Sequence, residues 1–357
     1  MKYPALLIDT EAIEENARVL SDMLMARGMR LVGVAKATLG HPAVVRAMVL
    51  GGASAMADSR MENLARMRRD GYRGETILLR SPTWSRCQEA VEVSDISLNS
   101  DVATVHRLGE AASALGKVHK VVLMVDMGDL REGVLPENAL SVAGQMASAP
   151  GIQLVGVGTN WGCYGGLMPD RPRLEALVDL RLDIQRMLGI SMDIVSGGNS
   201  TNINMLLDGS MPGGITELRL GESILLGTEA TQRQSVPGCR QDAFTLKAEV
   251  IEVLAKPSKP IGKIGQNAFG VVPELKDRGI RMRAICAVGR QDLDPDALEA
   301  LDPGVSILGA SSDHLILDVD EAENPVGVGS VLSFRPAYSA LLRAFTSPFV
   351  EKVVVSQ

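Results

Sequence analysis

Eight short β-rich runs alternate with longer segments of helical period between about residues 30 and 228, and β-rich runs with turn signals follow them. This order predicts an α/β chain, a (β/α)8 TIM barrel followed by a C-terminal β-rich domain. A third observation disfavours an open doubly wound sheet, since no G-x-G-x-x-G follows any of the runs.

The eight runs are RLVGVAKA (30–37), ASAMA (53–57), TILLR (76–80), DISLN (95–99), KVVLMVD (120–126), IQLVGVG (152–158), MDIVSGG (192–198) and ELRLGESILLG (217–227). Segments such as HPAVVRAMVLGG, SRMENLARMRRDG and RLEALVDLRLDIQRMLG lie between them. Each carries apolar residues three and four apart and ends at a glycine able to cap a helix. From residue 238 the texture becomes AFTLKAEVIEVL, GIRMRAICAVG, VSILGASSDHLILDV and VGSVLSFRP. The expected division is a barrel over 10–237 and a β-rich domain over 238–357.

Composition narrows the classes of function. The chain of 357 residues is 46% hydrophobic, yet no apolar run approaches the ~18 residues of a membrane span. Asp9 and Glu11 interrupt the short apolar segment at the N-terminus, so a cytoplasmic protein is expected. Cys87, Cys163, Cys239 and Cys286 lie far apart and form no C-x-x-C pair, which indicates neither a structural metal site nor a disulfide framework. A net charge of −7, with four tyrosines and five phenylalanines, argues against nucleic acid as a partner.

In a (β/α)8 barrel the chemistry gathers at the carboxyl ends of the strands. Lys36 ends the first run; it reads either as a solvated surface lysine or, at the edge of an apolar environment, as a source of the neutral amine that condenses with an aldehyde. Arg131 follows the fifth run in VDMGDLREG, Asn160 and Trp161 follow the sixth in GTNWGCYGG, and Arg219 and Gly221 lie in LRLGES. Ser196-Gly197-Gly198-Asn199-Ser200-Thr201 reads either as a phosphate cradle or as an ordinary turn with Ser200 or Thr201 as N-cap. The loops after strands seven and eight are the usual phosphate site of this barrel, which favours the cradle. An amine nucleophile facing a phosphate site implies a phosphorylated aldehyde, for which pyridoxal 5'-phosphate is the natural candidate. Arg219 has a plainer reading as the partner of Glu217 or Glu222 in a rim ion pair.

At these residues the chain resembles the fold-type III pyridoxal-phosphate enzymes, the alanine racemase family, and within it the ornithine racemase branch. The resemblance runs through IDTEAIEENARVL, VAKATLGHP, VDMGDLREGV, ELRLGESILLG, AICAVGRQDLD and LGASSDHLILD. It implies Lys36 as the internal aldimine lysine, Arg219 facing the pyridine nitrogen, and Ser200, Thr201 and Gly221 near the phosphate. It also implies a head-to-tail homodimer in which the β domain of one subunit caps the barrel mouth of the other, with residues 1–9 belonging to the β domain. An arginine offers only donors and stays protonated, so at a pyridine nitrogen it keeps that nitrogen an unprotonated acceptor. The cofactor is then a weaker electron sink, which favours return of a proton to the α-carbon over transamination.

The departures from the family are informative as well. KPIGKIGQNAFG lacks the tyrosine that serves alanine racemase as second acid/base, leaving the opposite-face base unassigned, with Cys286 and Tyr338 as weaker candidates. Leu39, Asn160 and Met124 stand where the family has a phosphate-contacting tyrosine, a histidine beside the ring and a modified lysine. Asp313, with Ser312, reads either as the group that pairs with a distal substrate ammonium or as a turn aspartate, and His314 as a structural histidine. Arg131 and Asn160 complete the expected cofactor and substrate contacts. The function expected is racemisation of ornithine or a related basic amino acid; the alternatives are a broad-specificity or alanine racemase and a non-catalytic cofactor carrier. Arg219 speaks against a decarboxylase, and the absence of a clear His/Cys pair near the C-terminus speaks against a zinc-assisted aldolase or dehydratase.

Overall fold

The computed structural model describes residues 1–273 and 276–355. The chain divides into two compact units, one from Thr10 to Gln241 and the other from Met1 to Asp9 together with the chain from Asp242 onward.

In the first unit eight parallel strands close into a barrel. After β1 (Ala5–Asp9) of the other unit and α1 (Thr10–Met25), they are β2 (Arg30–Val34), β3 (Ala55–Asp58), β4 (Glu75–Leu78), β5 (Ile96–Asn99), β6 (His119–Met124), β7 (Ile152–Gly158), β8 (Ile194–Ser196) and β9 (Glu217–Leu220). Between them run α2 (Pro42–Leu50), α3 (Met61–Arg69), α4 (Cys87–Val93), α5 (Val102–Ala114), α6 (Pro136–Ala147), α7 (Arg171–Leu188) and α8 (Ile203–Leu207), with α9 (Glu222–Leu226) after the last strand. Alternate residues of successive strands, among them Val32, Val34, Ala55, Ala57, Ile77, Ile96, Leu98, Val122 and Met124, pack together in one buried core. The helix starts follow local chemistry. The carboxylates of Asp101 and Asp170 accept from the backbone of Thr104 at 2.7 Å and of Arg173 at 2.9 Å, and Pro42 opens α2.

The eighth run is shorter than the sequence predicts. ELRLGESILLG is strand only to Leu220, and Glu222–Leu226 is helical. Gly221 ends the strand, and Ile224 and Leu225 are buried by coiling, which an apolar run alone does not distinguish from extension.

The second unit is an antiparallel sheet built from β10 (Phe244–Pro257), β11 (Ile280–Cys286), β12 (Leu298–Ala300), β13 (Ser306–Ala310), β14 (Leu315–Asp318) and β15 (Val331–Pro336), with α10 (Tyr338–Thr346) and β16 (Glu351–Val355). β1 lies antiparallel to β10 and parallel to β16. The run VSILGASSDHLILDV is a hairpin of β13 and β14.

Within the barrel unit Asn16 ties the beginning to the end. Fully buried on α1, its amide donates to the carbonyls of Ile224 at 3.0 Å and Arg240 at 2.8 Å and accepts from the Arg240 backbone at 2.6 Å. Asn16→Ala leaves these groups without their partner and is expected to cost about 2 to 4 kcal/mol. Urea unfolding measures this, and a loss under ~0.5 kcal/mol would show that Asn16 does not fasten the barrel.

Candidate active site

Lys36 leaves the sheet at the carboxyl end of β2. The Ala35 backbone donates to Ala57 at 3.1 Å, after which the chain makes one 3₁₀ turn over Lys36–Thr38. Leu39 and Gly40 follow in the left-handed region, at φ 53° and 63°, which ends the turn after the one half-buried lysine. Thr38 is buried and its hydroxyl donates to the Ala35 carbonyl at 3.0 Å, so the turn holds its own geometry. The charges of Asp58 and Glu222 act on Lys36 from β3 and α9.

Arg219 lies on β9 directly beside β2, in register with Val32. Its guanidinium donates to the Thr159 carbonyl at 2.6 Å and to the Ser196 hydroxyl. Burial pushes its pKa down, and Glu217 and then Glu132 oppose that push. The plainer reading of a rim ion pair does not hold. Glu217 pairs with Arg30 at 2.6 Å and Glu222 with Arg233, and no carboxylate among the described residues lies within ion-pair distance of Arg219. A guanidinium carries five N–H donors, so the two bonds to Thr159 and Ser196 leave donors for an acceptor at the mouth.

The SGGNST segment separates into two roles. Ser196, included in the cradle on sequence grounds, is the last residue of β8 and faces Arg219 and Glu217 inside the barrel. The N-cap is Asn199 rather than Ser200 or Thr201. Its side chain accepts from the Thr201 backbone at 2.9 Å and hydroxyl at 2.7 Å, and Asn202 completes a capping box. Ser200 is thereby placed beside the start of α9, where the Ser223 backbone donates to its hydroxyl at 3.2 Å. A Cβ on Gly221 would stand 3.0 Å from the Val34 carbonyl, so glycine is what lets this segment reach the end of β2 next to Lys36.

Several buried polar atoms here have no hydrogen-bond partner: Ser223 Oγ, Thr159 Oγ1 and Asn160 Nδ2. Unsatisfied groups of this kind are uncommon in folded proteins, and together they suit a polar ligand carrying acceptors, as a phosphorylated pyridine does. Asn160 accepts from Asn199 at 3.1 Å, which aims its amide nitrogen away from that bond.

Around this centre the loops contribute charge. Arg131 is exposed and paired with Glu132 at 3.0 Å, and both, with Cys163, lie within electrostatic reach of Arg219. Asp129 was not anticipated from the sequence. It is buried and accepts from the backbones of Tyr164 at 3.3 Å, Gly165 at 3.1 Å and Leu167 at 3.4 Å, holding the glycine-rich loop after β7. The only signal for it was an acid and a glycine-rich loop at the ends of neighbouring strands.

Ser312 and Asp313 belong to the other unit, in the turn between β13 and β14. Asp313 is exposed and accepts from Gln291 at 2.6 Å, and Ser311 donates to the His314 carbonyl at 2.9 Å to close the turn. Of the candidates for an opposite-face base, Cys286 fails: it is fully buried, and burial pushes its thiol up to about 12. Tyr338 is half-buried on α10, and Met124 is part of the barrel core.

A closed parallel barrel with a lysine, a buried arginine and orphaned polar groups gathered at the carboxyl ends of its strands defines a (β/α)8 barrel enzyme joined to an antiparallel sheet. Residues 8–229 match the family model described as the N-terminal domain of alanine racemase, and the chain belongs to that family. It is 44% identical to the lysine racemase of Thermotoga maritima over 99% of both chains, and 38% identical to the ornithine racemase of Acetoanaerobium sticklandii over 98% of this chain and 99% of that one. The solved alanine racemase of Streptomyces lavendulae shares the fold, with a TM-score of 0.76 and 18% identity over 100% of this chain and 98% of that one.

Asp58 gives a test of the electrostatics beside Lys36. It is fully buried, and burial raises its carboxyl to about 6, against bonds from the Arg60 backbone at 2.8 Å and the Asn63 amide at 3.1 Å. In the unfolded chain it ionises near pH ~3.9, so between about pH 4 and 6 the folded state holds the extra proton and stability falls as pH rises. Across that window the wild type is expected to lose roughly 2 to 3 kcal/mol relative to Asp58→Asn. Denaturation at a series of pH values measures this, and parallel profiles would contradict it.

Proposed function

We propose that this chain is a pyridoxal 5'-phosphate-dependent amino-acid racemase, an isomerase, acting on ornithine, lysine or a related basic amino acid. The observation that carries the reading is the adjacency of β2 and β9, which sets an amine and a permanent cation at one barrel mouth. The names and full-length coverage of the lysine and ornithine racemase relatives support the substrate class.

When bound, the cofactor withdraws electrons from the substrate α-carbon so that its proton becomes acidic. Lys36 holds the cofactor aldehyde and moves the proton on its own face. Arg219 would donate to the ring nitrogen and keep it unprotonated, which would hold the withdrawal weak and favour return of the proton to carbon. Ser200, Thr201 and Gly221 would hold the phosphate with Ser223, Asn160 would contact the cofactor, and Arg131 would bind the substrate carboxylate.

Asp313 and Ser312 read the distal amine from the neighbouring subunit of a head-to-tail homodimer. The β10–β11 arm and the chain between its strands expose Leu254, Ile261, Phe269, Val271, Val272 and Ile280, an apolar surface that supports burial against a second subunit. All four cysteines are free thiols, which supports a reducing, cytoplasmic compartment.

Incubation with L-ornithine, L-lysine and L-alanine followed by chiral chromatography tests the function. The basic substrates are expected to yield their D-enantiomers fastest, and preferential turnover of alanine would contradict the substrate class. A charged hydrogen bond to a buried ammonium contributes on the order of 1.5 to 3 kcal/mol, so Asp313→Asn should lower kcat/KM for ornithine about ten- to a hundredfold. Its effect on alanine should be much smaller, and equal losses on both would remove Asp313 from substrate selection.

A further inference from the structure

We infer that Ser196 and Glu217 are positioning residues for Arg219, acting as a relay that carries compensation for its buried charge from the barrel floor. The inference rests on the cofactor reading above, in which Arg219 faces the ring nitrogen. Ser196, Glu217 and Arg219 are all buried, with exposures of 0%, 1% and 4%. Glu217 divides its carboxylate. One oxygen accepts from Ser196 at 2.7 Å and the other from Arg30 at 2.8 Å, while Arg30 also donates to Glu75 at 2.9 Å.

A hydroxyl has one proton and two lone pairs, and an ionised carboxylate only accepts. The Ser196 proton is therefore committed to Glu217, which turns the Ser196 lone pairs toward Arg219. The Thr159 carbonyl fixes the other terminal nitrogen, so two bonds set the plane of the guanidinium.

The spacing matters because a carboxylate directly on Arg219 would satisfy the donors that an acceptor at the mouth needs. Placed one hydroxyl away, Glu217 still stabilises the cation without occupying those donors, and it is the largest force opposing the effect of burial on Arg219. Arg30, partly open to solvent on the floor, balances the same carboxylate and keeps it from becoming an isolated buried charge.

A double-mutant cycle on the full-length protein tests the relay through its dissociation constant for pyridoxal phosphate, measured by equilibrium dialysis. Ser196→Ala is expected to weaken cofactor binding about tenfold. It should also raise the fraction of turnovers that end in transamination, because a loosened arginine lets the ring nitrogen take a proton. Glu217→Gln should act in the same direction, and in a Ser196→Ala background it should add clearly less than it does alone, since the bridge is gone and only its charge still reaches Arg219 through space.

Wild-type affinity and product ratio in Ser196→Ala, with both altered in Arg219→Ala, would overturn the relay and leave the cofactor reading standing. Fully additive effects would also overturn it. If Arg219→Ala changes neither quantity, the placement of Arg219 at the cofactor fails and the relay fails with it. Should Glu217→Gln not fold because Arg30 loses one of its two carboxylate partners, the comparison of Ser196→Ala with Arg219→Ala decides alone.

Discussion

The pairing of β9 back onto β2 is the constraint on which this molecule depends. It joins Arg30 to Glu217 and Val32 to Arg219, residues separated by most of the barrel sequence, and so closes the sheet. A closed parallel sheet has no edge and encloses its core in alternating layers, which is why the strands can be short. The same pairing determines function. It sets the end of the first barrel strand, where Lys36 turns out of the sheet, against the end of the last, where a Cβ on Gly221 would crowd the Val34 carbonyl at 3.0 Å.

Closure also places a charge where it is expensive. Arg219 sits inside the barrel, and a cation removed from water is tolerated only with hydrogen bonds and opposing charge around it. Thr159 and Ser196 provide the bonds, and Glu217 provides the charge through Ser196, itself balanced by Arg30, which also donates to Glu75 on the floor. The barrel interior is thus apolar on most strands and polar along one line from floor to mouth. An arginine held this way is oriented before any ligand arrives, which is the condition under which electrostatic effects are worth most.

Much of this was legible in the sequence, for identifiable reasons. All eight barrel strands show themselves as apolar runs, and Lys36, Asn160, Ser200, Thr201, Arg219 and Gly221 were singled out because they lie on or just after the ends of such runs, where barrel chemistry collects. Periodicity does not reveal a side chain's partner, so the sequence left Arg219 with a rim ion pair as an alternative and Ser196 with a phosphate. Both depend on which way the last residue of a strand points, and a three-residue strand such as β8 gives too little alternation to fix that. Asp129 escaped notice because its role is to bind backbone N–H groups some 35 residues away, which leaves no local pattern. Asn199 rather than its neighbours became the cap because an Asn side chain reaches N2 and N3 as well as Ser or Thr does, and the sequence offers all three in succession.

One amine, that of Lys36, is expected to be the point of attachment for the cofactor. Reduction of the pyridoxal-phosphate-loaded protein with borohydride, followed by peptide mass mapping, measures this directly. A single pyridoxyl adduct on Lys36 is the result the account requires. An adduct on another lysine, such as Lys120 on the barrel floor or Lys247 in the sheet, with Lys36 unmodified, would contradict it.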